Sequence, residues 1–434
     1  MEIEKNKLAS HVSRSKPVYI NDFSLYCILG GDKVQVLDAL KNGRRGCFTT
    51  YDVAGVQRPA ATIDPATLAP VQEKKFDNRV NRLSQAALVE IEKTIQKAVE
   101  KYGANRVGIF IGSCDNGSEA SMAALKCFKE TGSFPEGYVL DYQRADFPAQ
   151  FIAQRFGITG ILSVHSTACA SSASAFVSAR NNLYAGHCDV AIVGGVDIAS
   201  LSVILGFASL EAMSDKPTNP FSANRSGLTL GDAAVFFVVT RTPDADLCMA
   251  DCKNLKVVGF GESADADHIT APRADGEGAY QAMKAALDDA GLNASQIGYV
   301  NLHGTGTELN DAMESRAVQR IFADSIGAET ASVPVSSTKA LTGHTLGAAG
   351  ALELAFCCMA LKSGNMSGAA RNSDNSECAS VLPAHLFDGV IDPNLPPLHL
   401  VKAGETAKNL KYCMSNSFAF GGCNVSLIVE NGGV

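Results

Sequence analysis

The chain states one structural pattern twice, and that repetition narrows its possible folds more than any other feature. "SQAALVEIEKTIQKAVEKYGANRVGIFIGSC" is a helix-period stretch followed by a short strand and a Gly/Ser turn, and "GAYQAMKAALDDAGLNASQIGYVNLHGTG" repeats that order in the second half. "ILSVHSTACASSASAF" turns from a β-rich run into a small-residue helix, as does "VPVSSTKALTGHTLGAAGALELAF". "CDVAIVGGVDIAS" and "AAVFFVVT" find their counterparts in "YCMSNSFAFGGCNVSLIVE" near the end. Helices alternating with short β-branched runs predict an α/β protein with helices covering both sheet faces. Two pseudo-equivalent halves are expected, residues 1–252 and 253–434, joined at the polar "RTPDADLCMADCKN".

A length of 434 residues is ample for two such halves, and 46% hydrophobic with 19% charged residues suits a globular protein. A net charge of −8 argues against broad binding to nucleic acid, which needs a basic face. The opening "MEIEKNKLASHVSRSKPVYI" has no apolar core of a signal sequence, and no uninterrupted apolar stretch reads as a membrane span, so a cytoplasmic location is expected. Thirteen cysteines without framework spacing read as reduced thiols. The pairs Cys248/Cys252 and Cys357/Cys358 lack the grammar of a zinc site, so no metal is expected.

Cys169 lies where a strand turns into an Ala/Ser helix that can stop at Gly186. At a helix amino end the partial positive charge and free N–H groups favour thiolate and supply oxyanion donors. A small core thiol at a tight turn explains the stretch equally well. The second half breaks the tie. His303 follows a strand, in a Gly/Thr turn before a helix whose start is marked by Asp311 and Glu314. Thr305 and Thr307 are turn formers or hydroxyls that bind a polar substrate arm. Lys339 and His344 fall between a strand and a second small-residue helix, whose amino-end dipole is expected to keep His344 neutral. Glu353 within that helix needs a partner if buried, and Lys339 is the obvious one.

"TACASS", "HGTGTELND", "KALTGHTLGAAGALE" and "NSFAFGGCN", in this order, resemble the β-ketoacyl-ACP synthases of the KAS I/KAS II type, decarboxylating condensing enzymes of the thiolase superfamily. The resemblance implies a thiolase-like five-layer αβαβα fold made of two pseudo-duplicated halves. It also implies decarboxylative condensation of an acyl-ACP with malonyl-ACP, in fatty acid or related acyl or polyene biosynthesis. Cys169 would carry the acyl group, and His303 and His344 would hold the malonyl thioester. Lys339 and Glu353 would organise the site, and Phe420 would gate it and lend an oxyanion N–H. Thr305 and Thr307 would bind the 4'-phosphopantetheine arm of acyl carrier protein, with no separate cofactor bound. A dimer is implied, a homodimer ahead of a heterodimer. The rival reading is a non-condensing, chain-length-factor-like partner subunit, and a Cys-His hydrolase is a third.

Three departures from the family pattern stand out. "AFGGCN" has Ala419 and Cys423 where glycine and threonine are usual, which predicts a stiffer gate and briefly suggests a thiolase. In "IGSCDNGSEA", Asp115 takes the place of an apolar residue lining the acyl pocket. A carboxylate facing an alkyl chain is costly, so a short, polar, aryl or polyene chain becomes an option. For docking an acidic carrier, "EKKFDNRVNRL" with Arg79 and Arg82 is the expected basic patch.

Overall fold

The computed structural model describes residues 16–114, 117–326, 333–366 and 379–433. Asp115 lies outside the described residues. One mixed sheet forms the frame, and its strands in chain order are β1 (Val18–Cys27), β2 (Val107–Gly112), β3 (Leu162–His165), β4 (Val190–Asp197), β5 (Ala233–Thr240) and β6 (Leu255–Ala264). The rest are β7 (Tyr299–Asn301), β8 (Pro334–Ser336), β9 (His399–Leu400), β10 (Tyr412–Phe418) and β11 (Cys423–Asn431). Across the sheet they run β9-β8-β7-β10-β11-β6-β1-β5-β4-β2-β3.

That order carries the sequence repeat into three dimensions. Outward from the middle, one half runs β1, β5, β4, β2, β3 and the other β6, β11, β10, β7, β8, with β9 added at the edge. Pairing sense repeats too: in each half the two inner pairs are antiparallel and the next two parallel. The halves meet through a short antiparallel bridge, Val18 to Val257 and Tyr19 to Lys256.

Five helices frame the site: α1 (Arg79–Tyr102), α2 (Ser171–Ala185), α3 (Glu277–Ala290), α4 (Glu308–Ile326) and α5 (Ala349–Met366). α1 buries one stripe, Leu83, Ala87, Leu88, Ile91 and Ile95, against the first half-sheet, as an outer helix must. α3 and α4 cover the second half-sheet through Ala282, Met283, Ala286, Val318 and Ile321. α2 and α5 lie between the half-sheets and touch each other, giving five layers. A helix covered on all sides has no polar face, and "Leu346–Gly364" is apolar enough, at mean hydropathy 1.4, to cross a membrane while being wholly buried here. Contact between α2 and α5 is close because of small residues. The Ala351 N–H donates to Ser172 Oγ at 2.9 Å, and a Cβ on Gly350 would come within 2.9 Å of Ala173 Cβ.

Candidate active site

Both central helices are entered the same way. Ala168 takes φ 47° as the first residue of the 3-10 turn Ala168–Ala170 that leads into α2, and Leu346 takes φ 55° as the first residue of the turn Leu346–Ala348 that leads into α5. Cys169 and Gly347 are therefore mates under the internal two-fold. The pairing of Ser172 with Ala351, and of Gly350 with Ala173, is the same contact seen from each side. Positive φ on residues with a Cβ is backbone strain, held here by the surrounding packing. Sequence reasoning placed Cys169 at a helix amino end, and it sits in the turn just before one.

The three chemical groups converge as expected: the Cys169 sulfur and one ring nitrogen each of His303 and His344 lie within 4.8 Å of one another. His344 Nε2 is 3.0 Å from Cys169 Sγ. On its other side the Leu346 N–H donates to His344 Nδ1 at 3.2 Å, so the ring's proton belongs on Nε2. For His303, the Lys339 ammonium lies 3.4 Å from Nδ1 and donates at 2.5 Å to the His303 carbonyl. An ammonium only donates, so Nδ1 of His303 is an acceptor too and its Nε2 carries the proton. Burial, then the Lys339 charge, holds both imidazoles well below the usual histidine range. Neutral His344 was expected from a helix dipole; burial is the larger cause. A sulfur and two imidazoles also make a zinc-type donor set, but a buried ammonium beside it works against a divalent cation.

Lys339 is completely buried and bonds Glu353, the partner expected for it. Burial pushes the Glu353 carboxyl up to about 7, while Lys339 pulls it down. The Cys169 thiol differs from the sequence-based expectation of a thiolate. Burial pushes it up to about 11, with the Lys339 charge and the Phe420 N–H opposing.

Two cavities open from Cys169. One, of about 380 Å³, is lined by His303, His344, Thr305, Thr307, Asn310 and Phe420 among others. The second, of about 480 Å³ and mostly apolar, is lined by Cys114, Val203, Gly206, Leu210 and Leu346. Phe420 and Phe207 border both, stacked at 5.9 Å between ring centroids. Thr305 and Thr307 bond each other at 2.9 Å in the wall of the polar cavity.

Not every expected residue joins this group. Arg79 is nine-tenths buried, paired with Asp232 and, at 2.6 Å, with Glu119, and Arg82 is paired with Asp77. Arg79 borders a separate hollow of about 300 Å³; neither arginine is a free cation, and the exposed basic side chains of "EKKFDNRVNRL" are Lys74 and Lys75. Ala419 strains nothing, because the left-handed positions are Gly421 (φ 84°) and Gly422 (φ 76°). Cys423 is not among the residues lining either cavity, and burial pushes its thiol up.

Sequence reasoning missed what holds the His303 turn. α4 begins at Glu308, ahead of the expected start, so Asp311 and Glu314 lie inside the helix and reach back. Glu314 accepts the His303 and Gly304 N–H groups at 2.7 Å each, and Asp311 accepts those of Gly306 at 3.1 Å and Phe221 at 2.7 Å. Burial pushes their carboxyls up to about 7 and about 6. Their spacing after "HGTGT" was the available signal. Phe207 carried none, being one apolar residue in "VILGFASL".

A duplicated five-layer fold with a Cys-His-His site at the join defines a class of thiolase-fold acyltransferases. The comparisons narrow it: residues 49–245 match "Beta-ketoacyl synthase, N-terminal domain" and residues 255–370 "Beta-ketoacyl synthase, C-terminal domain". The chain is 30% identical over 368 residues to a Staphylococcus aureus "3-oxoacyl-[acyl-carrier-protein] synthase 2", covering 82% of this chain and 86% of that one. A Schizosaccharomyces pombe "Putative 3-oxoacyl-[acyl-carrier-protein] synthase, mitochondrial" is 36% identical over 292 residues, 65% of this chain and 64% of the relative, so the match spans just under two thirds of that protein. Among solved structures, a ketosynthase in complex with its chain length factor from Xenorhabdus doucetiae matches with TM-score 0.82 and 33% identity over 96% of this chain and 98% of the other. A β-ketoacyl synthase from Burkholderia phymatum matches at 0.75 and 28%, over 96% and 99%. The chain belongs to the β-ketoacyl synthase family.

Proposed function

We propose that the protein condenses an acyl group with a malonyl group, both carried on acyl carrier protein, with loss of CO2. The observation that carries this is the tautomer of the two rings: each Nδ1 is occupied by a donor, so both rings carry their proton on Nε2, with His344 Nε2 at 3.0 Å from the sulfur and a ring nitrogen of His303 within 4.8 Å of it. A Cys-His hydrolase needs one histidine as base, whereas paired neutral donors suit an enolate oxygen. Cys169 attacks the acyl thioester and the carrier thiol leaves with the proton, giving an acyl-enzyme. The malonyl thioester then sits with its carbonyl on both Nε2–H groups. CO2 departs, leaving its electron pair as an enolate. The enolate carbon attacks the acyl-enzyme, Cys169 leaves as a thiolate that takes a proton from solvent, and the product is a 3-oxoacyl-ACP two carbons longer. Backbone N–H groups of Cys169 and Phe420 serve the acyl-transfer oxyanion, and that of Phe420 favours the thiolate of Cys169.

The polar cavity with Thr305 and Thr307 takes the pantetheine arm, and the apolar one takes the acyl chain, with Phe420 and Phe207 as the leaves between. Apolar side chains exposed around helix Ser118–Thr131, namely Met122, Leu125, Phe128, Phe134 and Leu140, support a dimer through that face. The ketosynthase-chain length factor complex favours a second reading, a silent partner subunit. Intact Cys169, His303 and His344 argue against it. The test incubates the protein with malonyl-ACP and a panel of acyl-ACPs and weighs protein and products. Acylated Cys169 with a two-carbon-longer 3-oxoacyl-ACP supports condensation; acylation without extension favours a transferase or hydrolase, and no adduct favours the silent subunit.

A further inference from the structure

The internal two-fold puts Gly347 where the other half has Cys169, so the second half holds a vestigial copy of the nucleophile turn. Its backbone N–H is not open to a substrate. Asp197, at the end of β4 and fully buried, takes that N–H at 2.5 Å through Oδ2. The same carboxylate accepts the Cys114 N–H at 2.9 Å and 3.0 Å and the Ser113 hydroxyl at 2.9 Å. Asp197 thus ties together two segments that meet at Cys169. One is the loop after β2, whose Cys114 walls the apolar cavity and donates through Sγ to the Ala168 carbonyl at 3.3 Å. The other is the Leu346–Ala348 turn, whose Leu346 N–H fixes the His344 tautomer.

We propose that Asp197 is a positioning residue that closes the vestigial oxyanion turn and so holds the Leu346 N–H on His344, and His344 on Cys169. The role rests on reading His344 as an Nε2–H donor. A bond between one carboxylate and the two loops resists the sub-ångström drift that oriented catalysis does not tolerate. Asp197 also belongs to the field around the sulfur, where its charge and that of Glu353 favour the thiol while Lys339 and the Phe420 N–H favour thiolate.

Two variants separate position from charge. Asp197→Asn keeps the shape, removes the charge and replaces one acceptor with an NH2. Gly347→Ala keeps the charge but brings a Cβ to 2.5 Å from Asp197 Oδ2, forcing the carboxylate off the turn. Decarboxylation of malonyl-ACP and the pH profile of Cys169 alkylation by iodoacetamide are measured on each, alongside thermal unfolding. Both variants are expected to lose about tenfold to a hundredfold in decarboxylation kcat with KM little changed. Only Asp197→Asn moves the alkylation profile to lower pH. Asp197→Glu, which restores the charge, returns the profile toward that of the wild type. Folded variants that decarboxylate at the wild-type rate would overturn the proposal. If Asp197→Asn does not fold, Gly347→Ala decides it on decarboxylation alone. A wild type that does not decarboxylate malonyl-ACP refutes the proposed function instead, and the alkylation shift still reports on Asp197.

Discussion

Replacing Lys339 with Met removes the ammonium that holds Glu353 and leaves its stem in place. The wild-type Glu353 carboxyl is raised from 4.5 to about 7. Between those values the folded protein binds a proton that the unfolded chain has released, so this group's stabilisation is complete below pH 4.5 and is lost as pH rises to 7. Above pH 7 the wild-type carboxylate is ionised against Lys339 and the slope ends. In Lys339→Met the carboxyl must stay protonated to remain buried, and its Oε2 has no partner among the described residues to soften ionisation. Its pKa moves up and the slope continues. Stability then falls by about 1.4 kcal/mol per pH unit beyond 7, or roughly 3 kcal/mol by pH 9, relative to the wild type. Glu314, which the same ammonium holds down, adds in the same direction. Urea denaturation of both proteins from pH 6 to 9 measures the difference. A gap that stays constant with pH would refute the reasoning, as would a Lys339→Met/Glu353→Leu double variant that keeps the same slope.

Cys169→Ala should abolish acyl-enzyme formation, read by intact mass, while releasing CO2 from malonyl-ACP, because both Nε2–H donors remain. His303→Ala and His344→Ala should each lower decarboxylation by about 10²–10³-fold, the cost of one oxyanion donor, and should change acylation of Cys169 far less. Because burial and Lys339 keep both imidazoles well below 6.5, decarboxylation should not fall through histidine protonation between pH 7.5 and 6.5; a loss centred near 6.5 in a pH-rate profile would contradict those environments. Phe207→Ala removes one of the stacked rings bordering both cavities, and should broaden acyl-chain selection in competition assays without lowering acylation by the shortest chains.

The repeat was legible because topology follows element order, and the two halves alternate helices and strands in the same way. Cys169, His303 and His344 were legible because each sits in a glycine-, alanine- or threonine-rich turn at the end of a strand, where few packing roles compete for a polar side chain. What could not be read was local environment. Arg79 looks basic in sequence, but it is neutralised by Asp232, which is far along the chain. Nor does a cysteine in a favourable turn become a thiolate when burial outweighs the donors around it. Ala419 looked costly until the backbone put the left-handed conformations at its glycine neighbours. Glu314 and Asp311 read as helix-start residues, yet their carboxylates turn back to bind the N–H groups of the His303 turn.

The most direct test is the protonation of the two rings, followed by nitrogen NMR on protein labelled with 15N-histidine and assigned with His303→Gln and His344→Gln. Both rings should be neutral at pH 7 with the proton on Nε2. A proton on Nδ1 of either ring, or an imidazolium at that pH, would leave no pair of neutral Nε2–H donors and would contradict the proposed chemistry.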